Sequence, residues 1–194
     1  MKRTIFTTPI VTDILRGLFG LAFRILGWRV DGSLPTLPKF VLIGAPHTSN
    51  WDFMIFLALA FHLRVDARYM GKAELFRWPI GGFFRYCGGY PVERNKSQGL
   101  VEQMAQIMKE AERFILVIAP EGTRHKVHEW KTGFYHIARR ADVPVVTAYI
   151  DSSIKACGIG PTFELTDNLE ADIKSIQSFY AGKAGVHPHE TSEL

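Results

Sequence analysis

The sequence predicts an α/β fold: a single domain with a mostly parallel mixed sheet flanked by helices, preceded by an N-terminal amphipathic helix. Three observations carry this. Apolar runs at 40–43, 114–118 and 143–150 are the length of strands and are bounded by Pro or by turn residues. Between them lie helix-length segments, the crossovers that parallel strands need. At 194 residues, 47% apolar and 22% charged, the chain makes one domain long enough to bury a substantial core. Three regions result: an N-terminal helix within 1–30, a globular domain over 31–182 and a polar tail over 183–194.

The first informative segment is 9–28. Asp13, Arg16, Gly17, Gly20, Arg24 and Gly27 recur at steps of three and four and so share one helical face; the rest is Ile, Leu, Phe, Ala and Trp. Such a helix either lies in a membrane interface or packs on the domain's own core with its arginines reaching outward. The width of the apolar arc favours the membrane. Residues 31–39, with Pro35 and Pro38, read as a loop into the strand at 40–43. The next helix, over 51–63, is apolar almost throughout. A second strand is expected at 65–70, followed by Lys72, a candidate anion contact. The glycine- and aromatic-rich run 79–89 allows close backbone approach to a ligand or a tight corner. A short extended piece, 89–94, ends in Arg94. Residues 97–113 place Leu100, Val101, Met104, Ile107, Met108 and Ala111 on one face of an amphipathic helix. The run 114–118 reads as a strand covered on both faces. Helix 130–141, strand 143–150, a hairpin or edge pairing within 154–166 and helix 168–181 complete the domain. The tail is expected to be loosely held.

The chemistry concentrates where strands end. His47 sits on the turn between strand 40–43 and helix 51–63, with Asp52 in that helix's first turn; open α/β sheets place reactive groups at such carboxyl ends. A neutral imidazole accepts a proton near pH 7 when a carboxylate fixes its tautomer and stabilises the imidazolium. The alternative is structural: with Ser49 as N-cap, Asp52 falls at N3, a capping-box variant. Strand 114–118 likewise runs into Glu121-Gly122-Thr123-Arg124. Backbone N–H groups around Gly122 can face a developing oxyanion, and Arg124, like Arg94, offers a planar fork suited to phosphate. Cys87 and Cys157 have no neighbouring base or activating turn, and their spacing suits neither a disulfide framework nor a zinc site. They point to a reducing compartment.

Net charge is +4, an excess that suits anionic partners such as phosphorylated small molecules, coenzyme A or acidic headgroups. No run of Lys/Arg with interleaved aromatics argues for nucleic acid. No stretch reaches the roughly 18 apolar residues of a spanning helix. Asp13 and Arg16 interrupt the N-terminal hydrophobic segment, against a cleaved signal peptide.

Taken in order, His47-x4-Asp52, Gly89-x-x-Val92-Glu93-Arg94, Pro120-Glu121-Gly122-Thr123-Arg124 and Val143-Pro144-Val145-Val146 resemble the four blocks of the glycerolipid acyltransferases, the 1-acyl-sn-glycerol-3-phosphate acyltransferases among them. The resemblance spans roughly 38–150. It departs at Glu93, where the family carries Asp, and at Thr147, where a second proline usually closes the fourth block. The resemblance implies direct acyl transfer from an acyl thioester, acyl-CoA or acyl-carrier protein as co-substrate, to a lysophosphatidate-like hydroxyl. His47 would be the base with Asp52 holding its ring. Lys72, Arg94 and the residues Glu121, Gly122, Thr123 and Arg124 would bind substrate. Neither a metal nor a separate cofactor is implied. The expected location is peripheral, on the cytoplasmic side of a membrane, reached through 9–28. A different lipid or glycan acceptor, or a non-catalytic lipid-binding protein, are the alternatives.

Overall fold

Strands β1 (Arg29–Asp31), β2 (Lys39–Ala45), β3 (Ala67–Lys72), β4 (Gly89–Val92), β5 (Phe114–Ile118), β6 (Val145–Asp151) and β7 (Ala156–Phe163) form one sheet. Its order is β1-β7-β6-β2-β5-β3-β4. The structure is a computed structural model and describes residues 3–92 and 97–192. From β6 to β4 every pairing is parallel; only β7 runs against β6. The carboxyl ends of β2, β5, β6, β3 and β4 therefore share one edge, and His47 and Glu121 both follow strands that end there.

Helices α1 (Pro9–Leu26), α2 (Asn50–His62), α3 (Gly81–Tyr86), α4 (Ser97–Glu110), α5 (Gly133–Ala141) and α6 (Leu169–Tyr180) cover the sheet. Side chains alternate along β2, so its two faces feed two cores. Val41 and Ile43 pack with Met104, Met108, Phe134, Ile137 and Ile176 beneath α4, α5 and α6. Phe40 and Leu42 meet Phe23, Ala58 and Leu59 beneath α1 and α2. Burial on both faces is why β2 is a continuous apolar run rather than an alternating one.

The hairpin or edge pairing expected within 154–166 is instead one strand, β7, which runs back antiparallel to β6 and pairs Val145 with Phe163 and Asp151 with Ala156. Three further features differ from the expectations. β1 begins before the anticipated loop: three residues, none fully buried, become a strand through parallel pairing of Arg29 with Ala156. Part of the glycine-rich run is helix α3, held by Arg85, whose Nη1 donates to the Phe76 carbonyl at 2.8 Å. The tail is not loose. Ser152 N–H donates to the Ala184 carbonyl at 2.8 Å, and the Ser152 hydroxyl reaches the carbonyl of Gly185. The chain then turns through Pro188–Glu190 and returns to the sheet edge. Its side chains carry little apolar surface, so its attachment through backbone groups leaves no hydrophobic pattern in the sequence.

On α1, the apolar arc is divided between a face packed on the domain and a face turned outward. Thr12 and Phe23 are buried, and Phe19 stacks on Phe61 of α2 with ring centroids 5.6 Å apart. On the outward side Ile10, Ile14, Leu18, Leu21 and Ile25 are all more than half exposed.

Candidate active site

The turn after β2 is built by α2's first residues. Ser49 is the N-cap: its hydroxyl accepts from the N–H groups of Trp51 and Asp52, and the Asp52 carboxylate reciprocates in a capping box. Asp52 is wholly buried. Its Oδ2 accepts from the Thr48 N–H, from the Thr48 hydroxyl at 2.8 Å and from the Ser49 N–H at 2.7 Å. Its Oδ1 accepts from the N–H of Val186, 2.9 Å away in the tail.

His47 projects from this turn half-buried. Its backbone N–H donates to Glu121 Oε2 at 2.7 Å, which ties the β2 turn to the β5 turn. Burial lowers the imidazole's pKa from its ordinary value, the Asp52 charge opposes this by raising it, and Arg124 lowers it again. The net direction is down, which favours the neutral imidazole. Among the described residues no hydrogen bond joins the His47 ring to Asp52; the two couple through charge. Glu121 is also buried, which raises its pKa, while the His47 N–H and the Ser192 hydroxyl hold it back toward the carboxylate.

The Glu121-to-Arg124 segment meets α2 directly, for Arg124 Nη1 donates to Asn50 Oδ1 at 2.5 Å. The guanidinium is exposed and keeps further donors for an anion. Gly122 takes φ +65°, the left-handed region, and a Cβ there would meet Lys131 side-chain atoms at 2.8 Å. Its N–H closes a turn onto the Ala119 carbonyl at 3.1 Å, so this amide is already engaged and does not point freely at a reacting oxygen. Thr123 is half-buried, its hydroxyl 3.4 Å from the His125 N–H. Lys72 ends β3 on the same sheet edge, exposed and two strands away from β2. Arg94, with Glu93, lies outside the described residues. Thr147 is buried in β6 and donates to the Pro161 carbonyl at 3.0 Å, so this departure from the family's fourth block serves the hairpin rather than a ligand.

A cavity of about 410 Å³ opens beside the site, lined by Pro46, Glu121, Trp130, Tyr180, Lys183 and Ser192. A larger hollow of about 720 Å³ sits at the opposite ends of the strands, around Pro38 and Phe114, remote from these groups. Sequence reasoning missed Thr48, Asn50, Val186 and Ser192. Thr48 and Asn50 stand inside the His47-to-Asp52 block and were open to notice. Val186 acts through its backbone, which has no sequence signature.

Residues 30–151 match the family model described as Acyltransferase. Among solved structures, the crystal structure of the 1-acyl-sn-glycerophosphate (LPA) acyltransferase PlsC from Thermotoga maritima is similar, with TM-score 0.57 at 20% sequence identity, covering 90% of this chain and 82% of that one. At that identity the likeness speaks to the fold. No curated protein matches the chain.

Proposed function

The chain belongs to the acyltransferase family, and from that premise we propose that it moves a fatty acyl group from acyl-CoA or acyl-carrier protein to the hydroxyl of a lysophosphatidate-like glycerolipid, working on a membrane surface. The observation that supports this is His47, half-buried at the sheet edge, its backbone N–H held by buried Glu121 and its ring acted on by the charges of buried Asp52 and of Arg124.

In this reading the acceptor's hydroxyl gives its proton to His47 as its oxygen attacks the thioester carbonyl carbon. The tetrahedral intermediate carries its charge on the former carbonyl oxygen. Collapse breaks the carbon–sulfur bond, and the thiolate leaves with the proton that His47 returns. Asp52 stabilises the transient imidazolium by charge. A positioned base contributes about 10²–10⁴-fold. Arg124 offers paired donors to the acceptor's phosphate, and the exposed Lys72 adds positive charge on the same edge.

Purified protein incubated with one acyl-CoA and a panel of lysolipids, with free thiol followed and products identified by mass spectrometry, tests the reading. Wild type should release thiol in step with a diacyl product, and His47→Ala should lose about 10²–10⁴-fold in kcat. Equal release by both would leave a lipid binder. Arg124→Ala should raise the acceptor KM roughly 10–100-fold, the worth of a charged hydrogen bond to phosphate. An unchanged KM would move the acceptor to a lipid or glycan hydroxyl without phosphate.

A further inference from the structure

Each of the two carboxylates flanking His47 is held at both oxygens, and in each case one oxygen belongs to the tail. Asp52 gives Oδ2 to its own turn and Oδ1 to the Val186 N–H at 2.9 Å. Glu121 gives Oε2 to the His47 N–H and Oε1 to the Ser192 hydroxyl at 3.3 Å. The same segment also grips the groups around them. The His187 N–H donates to Thr48 Oγ1 at 3.0 Å, the hydroxyl that itself donates to Asp52. Ser192 Oγ accepts from the Val127 N–H at 3.1 Å, and Glu190 from the Lys126 N–H at 3.1 Å, beyond the β5 turn. All this lies past residue 151, where the match to the family ends.

We propose that residues 183–192 are a built part of the active site, a strap whose Val186 amide and Ser192 hydroxyl are positioning groups for the two carboxylates beside His47. A carboxylate gripped at one oxygen can swing about its last bond. Gripped at both, Asp52 presents a fixed charge to the imidazole, which is what electrostatic preorganisation requires, and Glu121 holds the His47 backbone N–H in one place. Hydrophobic docking of a segment does not explain the pattern. Such a segment buries apolar side chains, whereas this one brings amides and a hydroxyl to two buried carboxylates. The fit is close as well as polar: Gly185 is buried, and a Cβ there would stand 2.4 Å from Thr48 Oγ1 and 2.6 Å from its methyl carbon. Only glycine lets the strap pass at this depth.

The inference rests on the acyl-transfer reading, and its test separates the two. Full-length Gly185→Ala, Ser192→Ala and Ser192→Thr are compared with wild type for kcat and the acyl-donor KM, with thermal unfolding as a check on folding and amide hydrogen exchange at Val186, Thr48 and Ser49 as a readout free of turnover. Gly185→Ala moves the catalytic turn by about an ångström and should lower kcat up to about 10²-fold with the donor KM within twofold. It should also speed exchange at Val186 and Thr48. Ser192→Ala should lower kcat roughly three- to tenfold, and Ser192→Thr, which keeps the hydroxyl, should recover it. Folded variants that keep kcat within twofold of wild type overturn the proposal. If Gly185→Ala does not fold, the Ser192 pair decides alone. Wild type without thioester-dependent activity would refute the acyl-transfer reading instead; the strap then stands or falls on whether Val186 exchanges as slowly as the amides of the buried turn.

Discussion

At the scale of single residues, the site depends on what sets the basicity of His47. Burial lowers its pKa below the ordinary 6.5, the Asp52 charge raises it, and Arg124 lowers it; Glu121 meets the residue only through the backbone N–H. A general base works deprotonated, so kcat/KM should fall as pH drops through the free-enzyme pKa, giving an acidic limb below pH 6.5. Asp52→Asn removes the one charge that opposes the lowering. Its acidic limb should therefore move to still lower pH while kcat falls about 10²–10⁴-fold, both read from a pH–rate profile. A limb displaced upward would mean that Asp52 acts on something other than the imidazole's charge. The turn that carries His47 and Asp52 was legible at the end of an apolar strand, though spacing alone fits a capping box as well, and only the company of the other three blocks pointed to chemistry. Gly122 was legible as a turn but misread in function: its positive φ is real, yet its N–H is occupied by the Ala119 carbonyl.

At the scale of elements, the first turn of α2 carries both stability and chemistry. Ser49 satisfies two of the helix's open N–H groups, and Asp52 completes the box. Ser49→Ala should destabilise the fold by about 1 kcal/mol. For a domain of this size that lowers Tm by roughly 2–4 °C, measurable by calorimetry. No change would show that Asp52 caps the turn unaided. The capping reading of Asp52 and the catalytic one were set against each other in the sequence; the structure shows the capping box, with the same carboxylate acting on the His47 imidazole by charge. Long apolar strands such as β2 and β5 and the periodic helix α4 were readable because burial alone decides them. β1 was not, for Arg29–Asp31 becomes a strand only when β7 lies beside it. α3 was not, because glycine-rich sequence argues against a helix that tertiary bonds from Arg85 impose.

At the scale of the whole molecule, large apolar side chains stand uncovered around the site. Besides the outward stripe of α1, Trp51 and Phe53 at the start of α2 and Trp78, Ile80 and Phe83 around α3 are exposed, Trp78 by 93%. Trp51 and Phe53 directly follow the His47 turn, and α3 follows β3's end on the same edge, so uncovered apolar groups border the candidate site. No helix among the described residues is long and apolar enough to cross a membrane. Patches of this kind mark interaction surfaces, and with a net charge of +4 the partner we propose for them is an anionic bilayer touched rather than spanned. Ile14 and Ile25 are exposed at 57% and 73%, so replacing both with Glu disturbs no core. Burying each in lipid is worth about 1.5–3 kcal/mol. The double variant should therefore lose at least tenfold in cosedimentation with phosphatidylglycerol vesicles, keep its Tm, and keep turnover on a short-chain lysolipid dissolved as monomer while losing it on the same headgroup presented in vesicles. Undiminished vesicle binding would return the outward face of α1 to an ordinary solvated surface, because no other change in that variant can compensate two buried carboxylates at the bilayer.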